Sequence, residues 1–124
     1  MSYSLHLVYG GRQTGRTTLV GRRLAGIQPE PGHTPALMFV ANYAACDTTD
    51  SLLKAQHLTE IREVKTCPGG TADLELRGRR PVAIGWDWEG TWPPRYVIEE
   101  ARILQCPLFV TVLAHGPAHE VELR

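Results

Sequence analysis

The chain has 124 residues, 43% of them hydrophobic, which suits one globular domain over residues 1–124 with a modest core. Thirteen Lys and Arg balance thirteen Asp and Glu, so the composition implies no general attraction to nucleic acid or to a membrane surface. Nothing resembles a leader peptide, no apolar run nears the roughly 20 residues of a membrane helix, and Cys46, Cys67 and Cys106 lack disulfide or zinc spacing; the expectation is a soluble cytoplasmic protein.

The first element is a short buried strand over residues 4–9, led by Leu5, Leu7 and Val8. It breaks at Gly10-Gly11 and gives way to a helix from Thr17 to about Ala25, with Gly26 as its stop. In the turn between them, Gly10, Gly15, Arg16 and Thr17 fall at the G-x-x-x-x-G-K-[ST] spacing, with arginine in the lysine slot. Glycines at that spacing let main-chain amides curl round a phosphate at a helix N-terminus. The basic residue then meets the outer phosphates, and the Thr17 hydroxyl is placed to sit on Mg²⁺. The candidate phosphate-binding residues are Gly10, Gly11, Arg12, Gln13, Thr14, Gly15, Arg16, Thr17 and Thr18. Glycine spacing alone is not informative, because it recurs at Gly21/Gly26 and Gly85/Gly90. Only the first copy has a strand before it, a helix after it, and the basic–hydroxyl pair. An ordinary glycine-rich strand-to-helix turn is the competing reading. Arginine is a planar fork where lysine is a point charge, so binding is easier to retain here than transition-state geometry.

Residues 27–34 read as loop and Ala36–Ala41 as a strand apolar on both faces, the pattern of a central parallel strand. A helix is expected from about Thr49 to His57, capped from the polar run 46–50. Residues 61–66 fit either a helical turn or an edge strand, Cys67–Gly70 a turn, and Thr71–Arg77 either an alternating strand or, in preference, a short helix. Pro81–Asp87 is an apolar strand ending in an acid. Trp92-Pro93-Pro94 opens a helix to about Gln105, with proline in its first turn. Leu108–Ala114 is a third apolar strand, and His119–Arg124 alternates as an edge strand would. Strands alternating with helices predict a mostly parallel sheet with its ligand at the carboxyl ends of the strands. No Ser–His–Asp, Cys–His or metal-ligand spacing stands out. Trp86, Trp88 and Trp92 read either as base-stacking groups or as core and surface cover, and Arg79 and Arg80 either as exposed charge or as an arginine finger in trans.

GGRQTGRTT after the first strand, VAIGWD ending at residue 87 and FVTVLA after it together resemble the nucleotide-binding core of P-loop NTPases. The likeness is to very small versions met among phage proteins and in the ATPase core of terminases and RecA-like motors. It implies a three-layer α/β sandwich around a mostly parallel sheet of four to five strands. It also implies that Asp87 shares Mg²⁺ with Thr17, that Thr111 is a polar sensor, and that a nucleotide, ATP or GTP, is bound. The glutamate that polarises water usually follows the aspartate directly. Here Trp88 holds that slot and Glu89 comes next, so hydrolysis, with Glu89 as base and Arg16 as the charge-stabilising group, is the weaker expectation. The alternative is a catalytically degenerate fold that acts as a protein-interaction or inhibitory module, partnering another protein or a second copy of itself. Binding of nucleic acid is left open.

Overall fold

The computed structural model describes residues 2–123; Met1 and Arg124 lie outside that range. Six strands form one sheet. They are β1 (Ser4–Gly10), β2 (Ala36–Val40), β3 (Val64–Pro68), β4 (Ile84–Asp87), β5 (Pro107–Leu113) and β6 (His119–Leu123), in the spatial order β3-β2-β4-β5-β1-β6. All neighbouring pairs run parallel except β1 with β6, which is antiparallel. The sheet thus has six strands where four to five are expected. The difference lies at its two edges, whose polar sequences give weak strand signals.

Four helices cover both faces. On one side α1 (Arg16–Ala25) and α2 (Tyr43–Ala55) bury Val20, Leu24 and Leu53 against Val8, Met38 and Phe109. On the other, α3 (Ala72–Leu76) and α4 (Arg95–Leu104) bury Leu76, Val97 and Ala101 against Phe39, Trp86 and Leu108. Every residue of β2 is buried, as an apolar run covered on both faces requires.

Several boundaries depart from expectation: β4 begins at Ile84, not Pro81, and α2 ends at Ala55, short of His57. α2 begins at Tyr43, not Thr49, because the Asn42 side chain accepts a hydrogen bond from the Ala45 amide at 2.9 Å and caps the helix early. The polar run then lies within the helix, with Cys46, Thr49 and Leu53 turned inward. β3 continues through Cys67 and Pro68, expected as turn, pairing them with Phe39 and Val40. As the sheet edge, β3 tolerates a residue without an amide hydrogen. α4 begins after the prolines, with Pro94 in extended backbone at its N-cap. Cys46, Cys67 and Cys106 are free and buried. Among the described residues no helix is long and apolar enough to cross a membrane.

Candidate functional site

Parallel strands bring their carboxyl ends to one edge, and there β1 ends at Gly10 while β4 ends at Asp87, with β5 between them. The turn from β1 into α1 is tightly built. A Cβ on Gly10 would lie 2.6 Å from Thr14 Oγ1 and 3.0 Å from the Ala118 main chain, so the backbone there must be bare. Gly15 is left-handed at φ 88° and forms the N-cap of α1 without a side-chain cap. The Thr14 hydroxyl donates to Gly11 O at 2.7 Å, and the Gly11 amide donates to Gly116 O at 3.0 Å, tying the turn to the β5–β6 connection. The first helical bond runs from the Leu19 amide to Gly15 O at 2.9 Å. The amides of Arg16, Thr17 and Thr18 in the opening turn therefore have no helical acceptor, and they carry the partial positive charge of the helix end.

Three side chains from three elements meet beside this turn. The Thr17 hydroxyl donates to Asp87 Oδ2 at 2.6 Å, and the buried Thr111 hydroxyl of β5 donates to Asp87 Oδ1 at 3.0 Å. Both oxygens of Asp87 are thereby fixed. One hydroxyl and one carboxylate at a helix N-terminus fit Mg²⁺ as a donor set, since that ion takes few protein ligands and completes its shell with other oxygens and water.

A second carboxylate closes the mouth. Glu89 Oε1 accepts from Arg12 Nε at 2.9 Å and Oε2 from Arg16 Nη2 at 3.2 Å. The hydrogen bond from Arg12, seconded by Arg16, holds the Glu89 carboxyl below its usual value, which makes it a weaker base while the pairs stand. Arg16 is 10% exposed, and its Nη1 is buried without an acceptor. A cavity of about 250 Å³ opens beside the turn, lined by Gln13, Gly15, Arg16, Thr17, Thr18 and Leu52. Another of about 480 Å³ lies on its other side, against Arg12, Leu113 and His115. A third, about 270 Å³, sits at the opposite edge near Ala36 and Val82; it borders none of the turn's groups.

The stretch from Gly10 to Thr18, Asp87, Glu89 and Thr111 thus lie at one edge. In each of the other two glycine pairs the first member has a packing reason. Gly21 sits inside α1 against Leu53, and Gly85 lies in β4 beneath Leu24 and Val20. Trp86 is core, its Nε1 donating to Thr91 O at 3.0 Å; Trp88 stacks on it at 5.9 Å, and Trp92 is half exposed. Arg79 pairs with Glu75 at 3.1 Å, and it and Arg80 precede β4 at the far edge from the turn.

Sequence reading missed the Arg12–Glu89–Arg16 clamp and the Gly116 carbonyl, since neither carries a periodic or spaced signal. It also missed a Ser–His–Glu chain. Ser4 Oγ lies 2.7 Å from His6 Nε2, and His6 Nδ1 lies 3.2 Å from Glu120 Oε2. The order is that of a nucleophile, base and orienter. Here, however, Glu120 is shared with Arg23 at 2.7 Å, the His6 ring is stacked on Phe109 at 4.4 Å, and β1 is flanked on both sides, so its amides are committed to the ladders and offer no oxyanion donors. The chain fastens β6 to β1 and α1.

No family model, curated protein or solved structure matches this chain.

Proposed function

We propose that the protein binds a nucleoside triphosphate with Mg²⁺, ATP or GTP, through a variant phosphate loop spanning Gly10 to Thr18. The observation that carries this reading is the 2.6 Å bond between Thr17 and Asp87, side chains 70 residues apart joined at the uncapped N-terminus of α1. The amides there favour an anion, and Arg16, nearly buried with one terminal nitrogen unpartnered, lacks the acceptor that a phosphate oxygen would supply. Mg²⁺ would be held by Thr17 and, through water, Asp87, and would offset the charge of the phosphates. Thr111 orients Asp87 from behind. Hydrolysis is a further step: Glu89 would have to leave both arginines before it could take a proton from water, and Arg16 would then face the transferring phosphate.

Thermal denaturation with ATP or GTP and Mg²⁺ tests the binding. At about 100 times its Kd a ligand adds roughly 2.7 kcal/mol, a rise in Tm on the order of 10 °C for a chain of this size. Arg16→Ala and Asp87→Asn should each abolish most of that rise. A flat Tm with both nucleotides counts against the proposal. One feature favours the second reading, a degenerate fold used as a protein-interaction module: Trp92 is 52% exposed on the loop that carries Glu89. That reading predicts that Trp92→Ala impairs biological activity while Arg16→Ala leaves it intact.

A further inference from the structure

We infer that Glu89 is a built-in competitor for the anion at Arg16, and that it restricts the site to ligands carrying two or more linked phosphates. The inference rests on the phosphate-loop reading and adds to it the class of ligand. The Glu89 carboxylate spans two guanidiniums, one oxygen on Arg12 at 2.9 Å and the other on Arg16 at 3.2 Å, as a bound anion would. It is held there by its own turn. The Thr91 amide bonds Trp88 O at 3.0 Å, Gly90 takes φ 76°, and Trp86 donates to Thr91 O at 3.0 Å. The stacked Trp88 ring beside Gly69 anchors the near end of the turn.

A tethered carboxylate acts at an effective concentration in the mM range. A free monoanion that makes the same two contacts gains nothing over Glu89 until it reaches that concentration. A polyphosphate differs because its second phosphoryl reaches groups that Glu89 does not touch: the amides of Arg16, Thr17 and Thr18, and the cavity of about 250 Å³ beside them. Displacing Glu89 also frees the Arg16 fork, whose Nη1 is otherwise buried without an acceptor, to meet two phosphate oxygens.

Calorimetric titration with inorganic phosphate, pyrophosphate and tripolyphosphate, each with Mg²⁺, tests the inference on the wild-type chain and on Glu89→Gln. Glu99→Gln, which neutralises an exposed carboxylate of the Arg95–Glu99 pair, is the charge control. Wild type should bind pyrophosphate and tripolyphosphate but not phosphate below the mM range. Glu89→Gln should bind pyrophosphate at least tenfold more tightly and gain measurable phosphate binding, while Glu99→Gln behaves as wild type. Wild-type binding of phosphate as tight as pyrophosphate would overturn the inference, as would Glu89→Gln affinities within twofold of wild type or weaker. In those two cases the phosphate-loop reading survives. No binding of any of the three anions by any chain overturns both. Circular dichroism checks that each variant folds, and Glu89→Ala, which also removes the hydrogen bonds, repeats the comparison.

Discussion

Asp87 takes a hydroxyl donor on each carboxylate oxygen, Thr17 from the α1 side and Thr111 from the neighbouring strand. Removing either donor leaves part of a partly buried carboxylate without its partner. Thr111→Val, which keeps the shape, should therefore destabilise the fold by about 1–3 kcal/mol in urea denaturation. It should also weaken Mg²⁺-dependent nucleotide binding more than Mg²⁺-free binding; equal effects on the two would remove Thr111 from any metal-orienting role. These partners were legible in the sequence for a definite reason. Asp87 ends an apolar run of strand length and Thr17 follows a spaced glycine, so pattern placed both near the carboxyl ends of strands, whereas Thr111 lies within such a run and was singled out only by the resemblance to P-loop NTPases. Arg12 and Glu89 were legible as a phosphate-loop residue and a candidate base, but not as partners of each other. What joins them is the side-by-side arrangement of β1, β5 and β4, which no local pattern encodes.

Helices and strands followed their periodicity where they are buried on one or two faces and departed from it where a single side chain decides the boundary. α2 is the clearest instance. Several residues between 42 and 50 can cap a helix, and the choice falls to Asn42 because starting there turns Cys46, Thr49 and Leu53 to the core. Asn42→Ala should cost about 1 kcal/mol and raise amide exchange in the first turn of α2 before the rest of the helix. β6 is the converse case. Its residues are mostly exposed, so it lacks a buried stripe and holds its place through the Glu120 carboxylate, shared between His6 and Arg23. Glu120→Ala should accelerate hydrogen exchange across residues 119–123 while β2 and β4 keep their protection. Uniform acceleration would mean that β6 unfolds only with the whole sheet. The strand count fell short for the same reason: β3 and β6, mostly partly buried or exposed, gave ambiguous signals, whereas the apolar runs of β2, β4 and β5 did not.

At the scale of the molecule, one sheet buried on both sides leaves three thiols inside, and they report on the whole fold. Cys106 lies among Leu108, Val97 and Ala101, and Cys67 beside Phe39 and Trp86, within one core cluster. Burial pushes both thiols up to about 12, well above the ordinary thiol value, with Glu75 adding to the effect at Cys67. Burial also raises Cys46. The native state therefore keeps its protons where the unfolded chain releases them. The sign follows: a folded pKa above the unfolded one supports stability fully below pH 9 and progressively less as pH rises toward 12. Urea midpoints measured from pH 8 to 10.5 should fall with pH in the wild-type chain. The fall should be shallower in a Cys67→Ala, Cys106→Ala double variant, measured against its own midpoint at pH 8. The same burial predicts that a thiol reagent at pH 8 modifies the native chain slowly and all three cysteines at once on global unfolding, since the thiolate is the reactive form. Fast native modification of Cys46 alone would show instead that α2 opens by itself, which would identify it as the mobile wall of the cavity beside Thr18 and Leu52.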